Sequence, residues 1–341
     1  MQQFFIDTIN QQTKYLLLTF NTLVLICNLE KYFNFIFSIN KYKMKIITKI
    51  NEMQTIADDI RCENKSIAIV PTMGFLHEGH AGLIRRANEL ADVVVTSLFV
   101  NPTQFAPNED FERYPRNFEK DCKIAEECNS SFLFYPDISE MYPSDYNTML
   151  QISKITNKFE GSFRPNHFNG VATIVAKLFN STKPHIAIFG QKDYQQTLVI
   201  KQLVKDLNYN ISIVISPTRR ENDGLAMSSR NTYLKPEERM LANILFFTLE
   251  KAIHAIEKGE RKRKIINAIM HNSLRTISSI MIDYASAADS DTLDEPEEFL
   301  PNQRIVLLIA VYLGKTRLID NALVTIPSNI SSNPIFFVEG I

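Results

Sequence analysis

The feature that most constrains the fold is an alternation of short apolar runs with amphipathic stretches between residues 51 and 215. Such short apolar runs are typical of buried strands, and they lie at 66–70, 93–100, 131–135, 185–189 and 211–215. Helices are predicted at 51–61, 80–90, 118–128, 171–180 and 194–207. Apolar strands that alternate with helices form a parallel sheet that is covered on both faces. The sequence therefore predicts an α/β fold with a doubly wound parallel sheet.

The pattern changes after Pro236. Long helices are predicted at 237–258 and 261–279, and further strands begin at Met281 and Ile305. This arrangement predicts a second, smaller α+β domain. We therefore expect one domain at 44–222, a C-terminal domain at 223–325 and a tail at 326–341.

Residues 1–43 contain neither glycine nor proline, and we expect them to be an extension of unknown role outside the working domain. Their apolar run at 15–27 is interrupted by polar residues, and it is shorter than the roughly 20 residues that a membrane-spanning helix needs. A membrane-surface helix or a partner-binding helix stays open as an alternative. A start at Met44 is the other alternative.

The charge and the cysteines exclude several classes of protein. The formal net charge is −1, with 37 basic and 38 acidic residues, which argues against a general binder of nucleic acid or of anionic membranes. The four cysteines form no CxxC pair, so a disulfide scaffold or a structural zinc site is not expected. These features predict a cytoplasmic protein without a nucleic-acid or membrane partner.

The segment 71–80, Pro-Thr-Met-Gly-Phe-Leu-His-Glu-Gly-His, leads from a predicted strand into a predicted helix. Gly74 permits a tight turn, and the N–H groups at a helix start suit a phosphate. His77 and His80 are three residues apart, so both can point the same way. Phosphate contact is the favoured interpretation. Metal ligation and an ordinary structural role for the two histidines stay open.

Four further loops follow predicted strands or the domain boundary, where open parallel sheets bind their ligands. The residues of interest are Asn101 and Gln104 in the first loop, Arg164 in the second, Gly190, Lys192 and Asp193 in the third, and Ser228–Arg230 in the fourth. Amide groups suit the hydroxyl and carboxylate groups of a small substrate, lysine suits phosphates, and Arg164 could clamp a carboxylate or a phosphate. Turn chemistry, a solvated arginine, a surface Lys–Asp pair and a polar linker are the alternatives at these positions.

Six segments in the same order closely resemble the pantoate–β-alanine ligase (pantothenate synthetase) family: 71–80, 99–116, 164–180, 189–196, 223–234 and 313–321. The resemblance covers roughly 44–325. It implies a Rossmann-like sheet of the HxGH nucleotidyltransferase type that binds ATP and pantoate, a C-terminal lid domain and a homodimer. The alternative is another nucleotidyltransferase of the HxGH superfamily.

The resemblance also implies a reaction in two steps, with ATP as co-substrate and Mg²⁺. Pantoate attacks the α-phosphorus of ATP to give pantoyl adenylate and pyrophosphate, and the amine of β-alanine then displaces AMP. A carboxylate such as Asp121 is conceivable as a Mg²⁺ ligand, but the metal ligands are not assigned.

Carried over by position, the resemblance implies catalytic roles for His77, His80, Lys192 and Arg230. The expected ATP-binding residues are Met73, Gly74, Phe75, Leu76, His77, Glu78, Gly79, His80, Gly190, Gln191, Lys192, Asp193, Arg219, Met227, Ser228, Ser229 and Arg230. The expected residues for pantoate and β-alanine are Asn101, Gln104 and Gln196. The chain departs from the family pattern at Phe75, at Ala81–Gly82 and at Arg219, which stands where an aliphatic residue is usual.

Overall fold

The computed structural model describes residues 44–107 and 109–328. The extension predicted at 1–43 and residues 329–341, which make up most of the predicted tail, lie outside the described residues. The strands of the described part are β1 (Lys45–Ile47), β2 (Ile67–Thr72), β3 (Val93–Leu98), β4 (Phe132–Phe134), β5 (Ile186–Gly190), β6 (Ser212–Ser216), β7 (Ile280–Asp289), β8 (Arg304–Leu313) and β9 (Thr316–Thr325). The α-helices are α1 (Ile50–Cys62), α2 (Glu78–Leu90), α3 (Phe118–Glu127), α4 (Ile138–Met141), α5 (Phe159–Phe163), α6 (His167–Thr182), α7 (Tyr194–Asp206), α8 (Pro236–Leu241), α9 (Ile244–Glu257) and α10 (Arg263–Leu274).

The larger sheet has the strand order β1-β4-β3-β2-β5-β6, which confirms the predicted doubly wound α/β fold. Its pairs β2–β3, β2–β5, β3–β4 and β5–β6 are parallel. The chain runs from β2 outward through β3 and β4 and then returns to the other side of β2 to form β5 and β6. The direction of winding therefore reverses between β2 and β5. In open parallel sheets a ligand crevice opens at the carboxyl ends of the strands beside such a reversal.

Helices cover both faces of this sheet, which explains why its central strands are apolar on both sides. Residues 67–70 of β2 are fully buried. Helices α1, α6 and α7 share one core cluster with the sheet, whereas α2 packs against β2, β3 and β5. A strand that is buried on both faces reads as a continuous apolar run, and this is the pattern that the sequence shows.

The C-terminal sheet has the order β7-β8-β9 and is antiparallel. Helices α9 and α10 share a core cluster with it, as the predicted α+β arrangement requires. The sequence prediction missed β9. Leu313 pairs with Thr316 across the two-residue turn Gly314–Lys315, and Gly314 has φ +60°. A glycine at the first position of a two-residue turn is a hairpin signal, so the sequence contained the information.

The helix predicted at 237–258 is two helices, α8 and α9, separated by a turn at 242–243. Ala242 in that turn is fully buried, and the N–H of Leu245 donates to its carbonyl oxygen at 3.4 Å. The helix predicted at 261–279 is α10, which is shorter at both ends. Among the residues that the structure describes, no helix has the length and apolar character needed to cross a membrane.

Candidate active site

A crevice of about 210 Å³ lies at the carboxyl ends of β2 and β5, where the winding reverses. Fifteen of the predicted site residues line it: Met73, His77, Gly79, His80, Asn101, Gln104, Gly190, Lys192, Asp193, Gln196, Arg219, Met227, Ser228, Ser229 and Arg230. The tertiary structure thus brings together residues that are spread over more than 150 positions of the sequence.

The loop after β2 turns through two consecutive residues in the left-handed region, Gly74 (φ +81°) and Phe75 (φ +51°). The buried carboxylate of Asp121 holds this turn. Its Oδ2 accepts from the N–H of Phe75 at 2.8 Å and its Oδ1 accepts from the N–H of Leu76 at 2.6 Å. A Cβ on residue 74 would lie 3.1 Å from that carboxylate. Both oxygens of Asp121 therefore accept from the loop, and the residue anchors it.

The two histidines cap the start of α2 with their rings. Nδ1 of His77 accepts from the N–H of Gly79 at 3.1 Å, and Nδ1 of His80 accepts from the N–H of His77 at 3.4 Å. A neutral imidazole whose Nδ1 accepts carries its proton on Nε2. The ring centroids are 4.1 Å apart. The cap therefore fixes one tautomer on both rings and presents two neighbouring Nε2–H donors.

Both imidazoles are held neutral. Burial, together with the charges of Lys192 and Lys120, lowers the pKa of His77 to about 4. Burial, together with His77 and Lys192, lowers the pKa of His80 to about 3. At neutral pH the rings act as hydrogen-bond donors, and the fixed positive charge beside them belongs to lysine.

Gly79 is required by the packing of the cap. A Cβ at this position would lie 2.8 Å from Cε1 of His77 and 3.8 Å from Cβ of Met227. A side chain here would displace the imidazole or push away the segment that covers the helix start. The glycine thus permits ring, helix and covering segment to meet in one place.

The loop after β5 carries Lys192, and its backbone is held from the C-terminal sheet. The side-chain Nδ2 of Asn321 in β9 donates to the carbonyl oxygens of Gln191 (3.1 Å) and Lys192 (2.8 Å). The next residue, Asp193, is exposed and lies directly before α7. Its carboxylate lines the crevice together with the ammonium-bearing side chain of Lys192.

The segment that covers the helix start follows a tight hairpin at 220–226. The N–H of Met227 donates to the carbonyl of Arg219 at 2.9 Å, and Gly224 has φ +91° with the ring of Phe246 directly against it. The guanidinium of Arg219 packs over Gly82, because a Cβ there would lie 3.3 Å from its Nε. Two departures from the family pattern, at 82 and 219, are therefore in contact with each other.

Residues 228–230 lie over the loop at the end of β2. The hydroxyl of Ser229 donates to the carbonyl oxygen of Phe75 at 3.3 Å, and Oγ of Ser228 accepts from the N–H of Arg230 at 3.3 Å. The guanidinium of Arg230 donates from Nε (3.0 Å) and Nη2 (2.9 Å) to the two oxygens of Asp110. This pairing fixes the plane of the guanidinium and leaves Nη1 for other partners.

Asn101 is fully buried and its amide is engaged by protein groups. Its Oδ1 accepts from the hydroxyls of Tyr142 (2.8 Å) and Thr103 (3.0 Å), and its Nδ2 donates to the carbonyl of Gly170 (3.0 Å) and to Oε1 of Gln104 (3.3 Å). A Cβ on Gly170 would collide with the carbonyl of Thr103, so the glycine lets α6 approach this turn. These contacts make Asn101 the residue that positions Gln104.

The two glutamines predicted to bind substrate both line the crevice. The amide Nε2 of Gln104 lies 2.7 Å from Sδ of Met73, so the two predicted residues meet. Gln196 lies on the first turn of α7 and is partly exposed to the crevice. Together the glutamines offer neutral donors and acceptors opposite the histidines.

Five residues predicted to bind ATP shape the crevice without lining it: Gly74, Phe75, Leu76, Glu78 and Gln191. Leu76 is fully buried, and Glu78 forms an exposed ion pair with Arg85 on α2. The side chain of Gln191 donates to Oδ1 of Asn321. Because the resemblance was carried over as whole segments, it could not separate residues that form the wall from residues that support it.

An ion-pair network built around the buried carboxylate of Glu160 lies beside the crevice; its other members, Glu109, Arg164, Asp283 and Arg317, are partly buried. Arg164 donates to both oxygens of Glu109 (2.7 and 2.6 Å) and lies 3.3 Å from Glu160. Arg317 of β9 donates to Glu160 (2.7 Å) and Asp283 (2.8 Å). Burial raises the pKa of Glu160, but Arg317 and Arg164 outweigh it and bring that pKa to about 2. The sequence offered Arg164 as a ligand clamp, whereas the structure pairs it with two carboxylates.

The prediction of site residues also missed His167 and Tyr114, which line the crevice. Nδ1 of His167 lies 2.8 Å from the carbonyl oxygen of Gln104, and burial together with Arg164 lowers its pKa to about 4. The ring of Tyr114 lies under the guanidinium of Arg230, 5.7 Å from its Cζ. Both residues fall inside the matched segments, so their signal was present but was not assigned a position.

No group of three or more histidine, cysteine or acidic side chains in the described part of the chain is arranged to hold a metal ion. A resident metal held by protein ligands alone is therefore not supported for these residues. A Mg²⁺ ion that arrives with nucleotide needs only one or two carboxylates, because phosphates and water supply the other ligands. The crevice provides one such carboxylate, Asp193.

Comparison with known proteins connects this crevice with one family. The sequence profile described as pantoate-beta-alanine ligase matches residues 45–323. A pantothenate synthetase from Thermotoga neapolitana is 47% identical over 280 residues, which is 82% of this chain and 99% of the relative. One from Caldicellulosiruptor saccharolyticus is 46% identical over 283 residues, 83% of this chain and all of the relative.

Solved structures agree with the sequence comparisons. Pantothenate synthetase from Thermus thermophilus superposes with a TM-score of 0.77 at 38% identity, covering 82% of this chain and 99% of that one. Pantoate-beta-alanine ligase from Francisella tularensis, complexed with beta-gamma ATP and β-alanine, superposes with a TM-score of 0.68 at 35% identity and covers 82% and 97% of the two chains. With the profile spanning most of its length and relatives this similar, the chain belongs to the pantoate–β-alanine ligase family.

Proposed function

We propose that the crevice joins pantoate to β-alanine in two steps, with ATP as the activating co-substrate. In the first step a carboxylate oxygen of pantoate forms a bond to the α-phosphorus, and the bond to pyrophosphate breaks. In the second step the amine of β-alanine attacks the acyl carbon and AMP leaves. The observation that carries this proposal is the pair of neutral imidazoles, capped through Nδ1 and placed beside Lys192.

Different residues of the crevice have different roles in the first step. Charge develops on the oxygens of the α-phosphate as pantoate attacks, and donors that are already oriented stabilise it without reorganisation. The Nε2–H groups of His77 and His80 are such donors. Lys192 supplies a point charge to the phosphates, and Arg230 supplies the free Nη1 edge of a guanidinium that Asp110 holds in place.

The neutral glutamines suit the acid substrate. Gln104 and Gln196 donate to and accept from the hydroxyl and carboxylate groups of pantoate without adding a charge that would lower the nucleophilicity of its carboxylate. The Francisella relative was solved with β-alanine and an ATP-type ligand, which supports the same pair of co-substrates here. The matching profile is that of a ligase family, so transfer of a nucleotide to a phosphate ester is not favoured.

Mg²⁺ fits this site as a companion of the nucleotide. Asp193 would hold the ion from the protein side, and the ion would offset the negative charge of the phosphates. The ribose and phosphates would lie along 190–193, and the segment 227–230 would close over them. We assign 44–222 to nucleotide and pantoate binding and 223–325 to the lid.

Assembly and location complete the proposal. Phe118 and Tyr135 are 38% and 41% exposed and their rings stack at 4.6 Å, beside Ile138, which is 48% exposed. An exposed apolar patch of this kind supports a homodimer, which light scattering of the purified chain would test. Free thiols at Cys62, Cys122 and Cys128 support a reducing, cytoplasmic location.

The deciding experiment measures AMP, pyrophosphate and amide product from ATP, pantoate and β-alanine with the full chain. We expect pyrophosphate to require pantoate, and AMP with amide product to require β-alanine. Formation of a nucleotide ester without β-alanine-dependent amide would overturn the proposal. The same assay on a chain that begins at Met44 tests the extension, which lies outside the residues matched by the family profile; we expect equal rates.

A further inference from the structure

Two adjacent polar residues of the C-terminal sheet, Asp320 and Asn321 in the middle of β9, are each only 2% exposed. Burying polar side chains inside a strand costs free energy unless each finds partners. The partners that they find lie outside the sheet, on the two loops that reach the nucleotide crevice. The segment 313–321 contributed to the family resemblance, but the proposed reaction gives these two residues no role.

The side-chain amide of Asn321 hydrogen-bonds to the loop after β5. Nδ2 donates to the carbonyl oxygens of Gln191 (3.1 Å) and Lys192 (2.8 Å), and Oδ1 accepts from Nε2 of Gln191 (3.2 Å). Only an amide can make this set, because it needs two donors and one acceptor on one short side chain. An aspartate would place a charged oxygen against two carbonyl oxygens.

The carboxylate of Asp320 holds the other loop. Its two oxygens accept from Nη1 (2.6 Å) and Nη2 (3.0 Å) of Arg220, and the same Nη1 donates to the carbonyl of Gly224 at 3.0 Å. These contacts brace the hairpin 220–226, which leads directly into the covering segment 227–230. Asp320 therefore fixes the base of the segment that carries Arg230.

Asp320 and Asn321, which hold the two loops, are adjacent residues of one strand, and consecutive Cα atoms are about 3.8 Å apart. We propose that Asp320 and Asn321 form a bracket that sets the position of Lys192 relative to Arg230, and that Asn321 is a positioning residue for Lys192 in pyrophosphate release. This inference rests on the proposed function. A lysine side chain is a flexible stem with a point charge, so its placement depends on how firmly its backbone is held.

A helix that packs on the same sheet provides a matched control. Asn267 of α10 donates from Nδ2 to Oγ of Ser286 (2.7 Å), and its Oδ1 accepts from the N–H of Ala287 (2.9 Å). It ties a helix to β7 with the same amide chemistry but does not line the crevice. Removal of either asparagine side chain costs two or three hydrogen bonds, whereas only removal of Asn321 releases the loop that carries Lys192.

The experiment compares Asn321→Ala, Asn267→Ala, Lys192→Ala and the double variant Lys192→Ala/Asn321→Ala in the full chain. We expect Asn321→Ala to slow pantoate-dependent pyrophosphate release about tenfold through misplacement of the charge, and Asn267→Ala to stay within about twofold of the wild type. The double variant should be no slower than Lys192→Ala alone, because the effect of Asn321 passes through Lys192.

Three outcomes would overturn the bracket. The first is a wild-type rate of pyrophosphate release for Asn321→Ala. The second is a double variant whose rate falls by the product of the two single-variant factors. The third is an Asn267→Ala protein that is slowed as much as Asn321→Ala. If circular dichroism shows that Asn321→Ala is unfolded, Asn321→Ser and Asp320→Asn take its place with the same comparisons.

The binding of ATP alone, measured by calorimetry, keeps the two proposals apart. We expect a several-fold weaker Kd for Asn321→Ala than for the wild type. A wild-type chain that binds ATP but forms no amide would refute the proposed function and leave the bracket measurable. Equal ATP binding and equal rates in an active enzyme would refute the bracket alone.

Discussion

Two groups of charged or titratable side chains border the crevice, and they are organised in opposite ways. In the ion-pair network around Glu160, each cation faces carboxylates at 2.6 to 3.3 Å. In the proposed catalytic group of His77, His80 and Lys192, the imidazoles are neutral and their Nδ1 atoms accept from backbone N–H groups. The first group pairs its charges internally, although Nη2 of Arg317 is buried without a hydrogen-bond partner, and the second leaves donors and one positive charge for a ligand.

The difference shows how a charged side chain with a structural role can be distinguished from one that is available to a ligand in the same cavity. A guanidinium that faces two carboxylates, as those of Arg164 and Arg317 do, is already compensated, so it gains little from a ligand and loses much if a partner is removed. A lysine beside neutral histidines has most to gain when phosphates arrive. The experiments below are designed to break one group at a time.

The largest effect is expected at His80. His80→Ala removes a preoriented Nε2–H donor, and we expect pantoate-dependent pyrophosphate release to fall by at least about 10²-fold. His254, which is exposed on α9, is the matched control, and His254→Ala should retain the wild-type rate. Near-normal turnover of His80→Ala would remove the histidine from the catalytic group.

Removal of the lysine should slow the same step to a similar degree. Lys192→Ala deletes the fixed charge beside the phosphates, and we expect a loss of about 10²-fold in pyrophosphate release. It should also raise the pKa of both imidazoles, because Lys192 helps to lower them; NMR titration of the two rings measures this. Lys201→Ala, an exposed change on α7, is the control. A lowered rate with unchanged imidazole pKa values would contradict the arrangement.

In the ion-pair network around Glu160 the expected effect is on stability. Glu160→Gln removes the charge that Arg164 and Arg317 share, and we expect the free energy of unfolding to fall by about 2 kcal/mol. Urea unfolding monitored by circular dichroism measures the change. Glu250→Gln, at an exposed position of α9, should leave stability unchanged. A Glu160→Gln protein as stable as the wild type would show that the network contributes no net stability.

The pH dependence of stability separates the titration of the histidine from that of the carboxylate. His167 has a folded pKa of about 4 against 6.5 for the free side chain. A lowered histidine pKa means that the unfolded chain binds the proton more readily, so stability is full above 6.5 and falls as the pH drops toward 4. Glu160, with a pKa of about 2 against 4.5, loses its contribution only below 4.5.

Unfolding in urea at several pH values between 7 and 4 tests this order. We expect His167→Gln to lessen the decline between pH 6.5 and 4, to which His77 and His80 also contribute, while His254→Gln follows the wild-type curve. An unchanged slope in the His167→Gln protein would show that the imidazole is not held neutral in the fold.

Much of the fold could be predicted because its physical causes are local. Apolar periodicity predicts the buried strands β2, β3 and β5 and the helices between them. The glycines and histidines of 71–80 indicate a ligand-binding loop. The strand β9 was missed because Thr316–Thr325 does not alternate polar and apolar residues, and two adjacent polar residues, Asp320 and Asn321, are buried in it. Its polar side chains face loops of the crevice, and local pattern does not show such partners.

The sequence by itself determined the parallel sheet, the order of the strand-end loops and the residue types at the crevice, since these depend on hydrophobic periodicity and on recognisable motifs. Only the tertiary structure decided that Asp121 anchors a loop, that Arg164 is compensated by Glu109 and Glu160, and that Asn321 holds the backbone of Lys192. Apart from the pair within one helical turn, Glu160 and Arg164, these contacts join residues 45 to 129 positions apart. A side chain's charge and exposure in the fold are set by such neighbours, and a linear sequence does not list them.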